Sequence, residues 1–98
     1  MVKQFSYGRN FEYSDVKYLT QLFWTVKTKK QLQYLLTALF THQELEEAVR
    51  RLLVGKMLAR GETYEEIRTR YRMSNTTINS IYKRLRINPV FKRFISKP

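Results

Sequence analysis

The stretch SNTTINSIYKRLR, residues 74–86, carries the side chains best suited to bind another molecule. Asparagine pairs with two edge atoms of adenine, and the methyl group of threonine packs on thymine. Cationic side chains contact phosphates, which fix a protein on a nucleic acid without reading its sequence. Polar residues predicted to read bases are Asn75, Thr76, Asn79 and Ser80. Cations predicted to contact phosphates are Arg68, Arg70, Arg72, Lys83, Arg84 and Arg86.

The positive charge of the chain is concentrated around this stretch. The 98 residues carry a formal net charge of +11. The net charge is +4 over residues 1–40, zero over residues 41–62 and +7 over residues 63–98. Such an excess favours a polyanionic partner, most commonly nucleic acid. The alternative is a soluble basic protein without that partner, in which each cation is a solvated surface residue.

The residues that must position these side chains fit a helix-turn-helix over residues 63–86. A capping box, TYEE, predicts a short first helix that runs to about Tyr71, because the threonine and glutamate side chains satisfy free amides of the first turn. The second helix is expected to begin after a Ser74 cap and to run to about Leu85. The apolar contacts between the helices are assigned to Ile67, Tyr71, Met73, Ile78, Ile81 and Leu85. Another pair of short amphipathic helices would satisfy part of this pattern.

The turn between the two helices departs from the usual motif. Arg72 stands where this turn often has glycine, and Arg68 stands where small residues are common. If Arg72 adopts a positive φ angle, we expect it to cost about 1 kcal/mol more than glycine would.

Helical periodicity continues through most of the remaining chain, so we expect an all-α fold in one domain, residues 1–98. Residues 1–13 are interpreted as an N-terminal arm, and residues 14–60 as core and dimerisation helices. Asn88 followed by proline predicts the start of a C-terminal helix within residues 88–98.

Three helices are expected within residues 14–60. The first is predicted to end at about Lys27, and the second follows a Thr28 cap. A second capping box, THQE, begins the third, which runs to about Arg60 and is terminated by Gly61.

The third helix is apolar on two sides, which bears on assembly. Val54 and Leu58 lie nearly opposite a face formed by Leu45, Ala48, Val49 and Leu52. A helix that is apolar on two sides must be covered on two sides. A second copy of the chain would supply the second cover, as in an intertwined dimer. The alternative is that the N-terminal helices supply all of it.

Several classes of protein are disfavoured by what the sequence lacks. There is no cysteine for a disulfide framework or a thiolate metal site. There is no apolar run of membrane-spanning length, and the start MVKQFSYGRN lacks the apolar core of a signal peptide, so we expect a cytoplasmic protein without a membrane partner. An enzyme is not expected, because the single histidine, His42, lies in a capping box and no phosphate loop or metal-spaced cluster occurs. We expect no cofactor.

The segments LFTHQELEEAVRRLLVGKMLARGETYEEI and LRINPV, with the helix-turn-helix between them, resemble the tryptophan-repressor superfamily. The phrases KMLARG and GETYEEI are most similar to its less characterised branch. The resemblance spans residues 39–90. It implies an all-helical, intertwined homodimer that binds operator DNA through two helix-turn-helix units.

The resemblance also implies roles for single positions. Residues corresponding to the base and phosphate contacts of the recognition helix are Asn75, Thr76, Thr77 and Asn79, and Arg68 corresponds to a cation that contacts the DNA backbone. Thr41 and Arg51 correspond to positions that line the corepressor pocket, and Ser80 stands where tryptophan-responsive members have a second ligand-holding arginine. At a neighbouring position the family has glycine and this chain has Ile81, which changes the space available to a ligand. We therefore expect that tryptophan is not the effector.

The sequence thus predicts a sequence-specific transcriptional regulator, a repressor that binds double-stranded DNA as a homodimer. The alternative is a helical module that binds nucleic acid or protein without reading sequence. An architectural DNA-binding protein lies between these two.

Overall fold

The structure is a computed structural model that describes residues 10–96. These residues form six α-helices and one turn of 3-10 helix, without any strand, which confirms the predicted all-α fold. Contacts divide the chain into two compact units, residues 1–39 and residues 40–98. The single domain over residues 1–98 stays a prediction, and most of the predicted arm, residues 1–9, lies outside the described residues. No helix in the described range has the length and apolarity needed to cross a membrane.

The N-terminal unit contains a 3-10 turn, Tyr13–Asp15, and two helices, α1 (Val16–Trp24) and α2 (Lys29–Leu39). Helix α1 ends three residues before the predicted Lys27. The hydroxyl of Thr25 donates to the carbonyl of Leu22 over 2.7 Å at this end. Neither α1 nor α2 contains a buried residue, and Trp24 is 88% exposed. The apolar stripes of these helices are therefore at most half-buried, whereas such stripes need full cover.

The C-terminal unit consists of α3 (His42–Ala59), α4 (Tyr64–Tyr71), α5 (Asn75–Ile87) and α6 (Pro89–Ile95). Both predicted capping boxes are present, at the starts of α3 and α4. Each has the reciprocal bonds of the motif, in which the threonine hydroxyl accepts from an amide and the glutamate carboxylate accepts from the threonine amide. The predicted boundaries of α4 are confirmed.

The ends of α3 and α5 follow local backbone chemistry. Gly61 has a φ angle of +83° just after α3, as its predicted role requires. Helix α5 continues two residues beyond the predicted Leu85, to Ile87. Asn88 then caps α6 by accepting a hydrogen bond from the amide of Phe91 over 2.8 Å. The predicted start of the last helix, with proline as its first residue, is confirmed.

The core of the C-terminal unit lies where the helix-turn-helix packs on the second half of α3. Buried side chains form one cluster: Val54, Met57, Ile67, Ile78 and Ile81. Half-buried neighbours complete it: Leu58, Tyr64, Tyr71, Met73 and Phe91. The predicted contacts of Ile67, Tyr71, Met73, Ile78 and Ile81 are therefore confirmed, and α3 and α6 supply the remainder. Leu85 is buried, as predicted, but lies outside this cluster.

The two apolar faces of α3 have different environments. Val54 is 0% exposed in the core, whereas Val49 is 53% exposed. The side of α3 that carries Val54 is thus covered by the helix-turn-helix. The side that carries Val49 has no such cover.

Candidate nucleic-acid interface

The inner stripe of α5 fixes which of its side chains point outward. Ile67 of α4 and Ile78 of α5 are both 0% exposed at the centre of the motif. Full burial of a side chain of this size contributes about 1.5–3 kcal/mol. At about 100° per residue, this anchor turns Thr76, Ser80 and Lys83 directly away from the core. These three side chains are exposed, as an outer face that meets a partner requires.

The predicted base-reading asparagines lie on the side of α5 that faces α4. The hydroxyl of Tyr64 donates to Oδ1 of Asn79 over 2.7 Å. The guanidinium of Arg68 donates to Oδ1 of Asn75. Each helix contributes two residues that are four positions apart, so the two hydrogen bonds are one helical turn apart on both helices.

These two hydrogen bonds were not anticipated from the sequence. The sequence predicts only that Tyr64, within the capping box TYEE, lies in the first turn of the first motif helix, and that Arg68 contacts a phosphate. The available signal was the equal spacing of a tyrosine and an arginine on α4 and of two asparagines on α5. Spacing alone did not reveal the pairing, because the pairing depends on the angle between the helices.

The turn between α4 and α5 contains a strained residue. Arg72 adopts the positive φ angle that the sequence analysis considered. Arg72 has φ 50° and ψ 48°, and it is the one residue other than glycine with positive φ in the described part of the chain. Its amide donates to the carbonyl of Arg68 over 2.8 Å and closes α4. A left-handed conformation is unfavourable for arginine by about 1 kcal/mol or more.

The N-terminus of α5 is capped through two side chains. Oγ of Ser74 accepts from the amide of Thr77 over 3.1 Å and donates to its hydroxyl oxygen over 3.0 Å. Thr77 is half-buried. Its hydroxyl accepts one hydrogen bond and still has its own proton to donate. That proton is what the predicted phosphate contact would use.

The predicted phosphate-contacting cations are all exposed: Arg68, Arg70, Arg72, Lys83, Arg84 and Arg86. None of them forms a salt bridge with a carboxylate of residues 10–96. The guanidinium of Arg86 lies 5.7 Å from the centre of the Tyr82 ring, which restricts its position. These charges are thus available to an external anion.

The start of α4 depends on one carboxylate. The amide of Thr63 donates to Glu66 over 2.7 Å and is the main cause that lowers the pKa of the Glu66 carboxyl below its ordinary value of 4.5. The Thr63 hydroxyl and the positive charge of Arg70 also lower this pKa. The charged carboxylate is therefore the form that stabilises the first turn.

The residues predicted to form an effector pocket, Thr41, Arg51 and Ser80, make no hydrogen bond or salt bridge with one another in the described part of the chain. The Thr41 hydroxyl accepts from the amide of Glu44, and Arg51 pairs with Glu47 over 3.3 Å. Thr41 and Arg51 are ten positions apart along the sequence, which corresponds to about 15 Å along a helix axis. Ser80 is exposed on α5. A pocket that includes all three stays a prediction.

Among residues 10–96, no group of three or more histidine, cysteine, aspartate or glutamate side chains is arranged to hold a metal ion.

Comparison with known proteins places this architecture in a family. The family model described as Trp repressor protein matches residues 14–97, which include all six helices. Neither the curated proteins nor the solved structures gave a match. The chain belongs to the Trp repressor protein family, whose members are helical DNA-binding regulators of transcription.

Proposed function

We propose that this protein is a sequence-specific transcriptional regulator that represses by binding operator DNA as a homodimer through α4 and α5. The observation that carries the proposal is the outer face of α5. It presents exposed threonine, serine and lysine side chains, with two exposed asparagines beside it on the side toward α4, on a helix held by buried isoleucines. Such a helix suits the major groove, where the N-terminal residues of a recognition helix contact base edges.

The proposed division of labour follows the position of each side chain. Residues assigned to base edges are Asn75, Thr76, Asn79 and Ser80. Residues assigned to phosphates are Arg68, Arg70, Arg72, Thr77, Lys83, Arg84 and Arg86. Phosphate contacts supply affinity and register, and base contacts supply discrimination.

The homodimer is supported by apolar side chains that stay exposed among residues 10–96. Helices α1 and α2 have no buried residue, and Val49 of α3 is exposed. At the other end of the chain, Val90 and Phe94 lie one turn apart on α6 and are also exposed. Exposed apolar surface on each unit is what an interface with another chain would cover. A second copy supplies matching surface, and a dimer also pairs two recognition helices for a palindromic site.

The proposal also covers whether the protein represses or activates transcription and whether it responds to tryptophan. Repression rests on the description of the family. Tryptophan is proposed not to be the effector, because Ser80 provides no cation for a carboxylate. Isothermal titration that found tight, saturable tryptophan binding would overturn this part.

Selection of duplexes from a random pool, with purified protein and no added ligand, tests the proposal. We expect enrichment of a palindromic sequence whose affinity falls steeply with salt, with a log–log slope of about −0.9 for each neutralised phosphate. Absence of any preferred duplex at moderate salt contradicts sequence-specific regulation. Stronger binding to single-stranded RNA than to the selected duplex would instead favour an interaction module.

A further inference from the structure

The hydrogen bonds from α4 to α5 limit how the two asparagines can meet DNA. An asparagine side chain has an oxygen that accepts and a nitrogen that donates, and rotation by about 180° exchanges them. In Asn79 the oxygen is already bonded to the Tyr64 hydroxyl, over 2.7 Å. In Asn75 the oxygen is bonded to the Arg68 guanidinium. Arginine has only donors, so the Arg68 bond permits a single orientation of the Asn75 amide.

We infer that Tyr64 is a positioning residue for base recognition and that it acts by holding one end of the Asn79 amide against α4. In the observed orientation the oxygen faces α4 and the N–H donors of Asn79 are directed away from Tyr64. Because a tyrosine hydroxyl can also accept, this bond sets the position of the Asn79 side chain rather than which end of its amide faces α4. In this orientation the donors of Asn79 suit a base edge that presents an acceptor. This inference rests on the proposed function, since it assigns Tyr64 to the same interface without requiring it to touch DNA.

Burial of the surrounding side chains makes Tyr64 suitable for this role. Its ring is half-buried against the core cluster. Its position is therefore set by the packing that also joins α4 to α5. Asn79 is exposed, so the position of its amide would otherwise be set by water. Fixing a recognition group before binding reduces the ordering that binding requires.

Arg68 has the same relation to Asn75, with one difference. Its guanidinium has five N–H donors, so one bond to Asn75 leaves others for a phosphate. Arg68 can therefore orient a base-reading amide and contact the DNA backbone together. Lysine retains the charge but has no planar set of donors, so Arg68→Lys separates these two roles.

The decisive substitution is Tyr64→Phe, which removes the hydroxyl and retains the ring. Affinities are measured for the duplex selected by wild-type protein, for each single-base-pair change in it and for an unrelated duplex, at one salt concentration. We expect discrimination to fall by about fivefold or more at the base pair where Asn79→Ala also loses it. Affinity for the unrelated duplex and the salt slope are expected to stay unchanged. Addition of Tyr64→Phe to Asn79→Ala should then have no further effect.

Tyr71→Phe is the matched control. Tyr71 is also half-buried on α4, but its hydroxyl makes no hydrogen bond within residues 10–96. We expect its removal to leave discrimination unchanged at every base pair. Loss of discrimination in both variants would show a general effect of the hydroxyls and overturn the inference.

Two results for Tyr64→Phe contradict the inference directly. One is wild-type discrimination at every base pair, and the other is equal weakening for all duplexes, which is the effect of a purely structural residue. If wild-type protein prefers a duplex and Tyr64→Phe keeps that preference, the inference fails while the proposed function stands. If wild-type protein has no preference, both fail.

A measurement on unsubstituted protein guards against a variant that does not fold. Nuclear Overhauser contacts between the Tyr64 ring and the Asn79 side-chain amide are expected in the free protein and in the DNA complex. Loss of these contacts on binding to the selected duplex would mean that the amide turns away from Tyr64, and it would overturn the inference.

Discussion

The ring of Phe91 on α6 lies directly against the backbone of Gly55 on α3. A Cβ atom added at Gly55 would lie 2.8 Å from Cζ of Phe91, well inside the optimum carbon–carbon separation of about 3.5–4.0 Å. Glycine at this position thus permits α6 to pack against α3, next to the core that supports the helix-turn-helix.

This contact predicts a background-dependent effect of Gly55→Ala. In wild-type protein we expect the substitution to lower the free energy of unfolding, because overpacking costs about 1–3 kcal/mol while alanine gains at most about 1 kcal/mol in helix propensity. In Phe91→Leu protein, where the ring is absent, the substitution should be neutral or stabilising. Urea unfolding of the four proteins measures both effects. Equal effects in the two backgrounds would contradict the contact.

The left-handed Arg72 predicts opposite responses to two substitutions. Arg72→Gly should raise the free energy of unfolding slightly, by less than about 1 kcal/mol, because relief of strain exceeds the added entropy of the unfolded chain. Arg72→Val should lower it by more than about 1 kcal/mol, because a β-branched residue adopts positive φ poorly. Thermal unfolding of the two variants checks the order. A valine variant as stable as the glycine variant would rule out the left-handed turn.

The lowered pKa of Glu66 predicts an acid-dependent loss of stability. Its folded-state pKa is below the ordinary value of 4.5, so its charged form stabilises the fold fully above that pH. This contribution is lost as the pH falls through the lowered pKa. Glu66→Gln lacks it, so the difference in unfolding free energy between wild type and variant should shrink in acid. Urea unfolding at neutral and acidic pH measures it, with Glu65→Gln as the control outside the capping box. A constant difference would contradict the assigned cause.

The exposed face of α3 predicts a residue on which association depends. Val49→Glu places a charge on the face that the proposed second copy covers, so we expect sedimentation equilibrium to show monomer. Gln43→Glu adds the same charge at an exposed polar position of α3 and should leave the dimer intact. A monomeric wild-type protein, or a Val49→Glu variant that stays dimeric, would contradict the proposed interface.

The predictions from sequence succeeded where the determinants are local. Capping boxes depend on residues three positions apart, so the starts of α3 and α4 followed from the residues themselves. The inner stripe of α5 followed from helical spacing. Arg72 was identified because turn conformation is also local.

The remainder depends on how separate helices meet. The bond between Tyr64 and Asn79 joins residues fifteen positions apart, and it requires a particular crossing of α4 and α5. The role of Gly55 requires Phe91, which lies in another helix. Helix α5 ends at Ile87 rather than at the predicted Leu85, because Asn88 is both the C-cap of α5 and the N-cap of α6. The assignment of single side chains to bases or phosphates stays a prediction.

The central claim is that α5 reads bases with its polar face and holds phosphates with its cationic end. The most direct test compares Asn79→Ala with Arg84→Ala in competition binding to the selected duplex and to an unrelated duplex, over a range of salt. Asn79→Ala should reduce the advantage of the selected duplex by about 1–3 kcal/mol without changing the salt slope. Arg84→Ala should weaken both duplexes alike and reduce the magnitude of the slope by about 0.9 for each subunit. The same effect of both variants on preference and on slope would contradict this division of the helix.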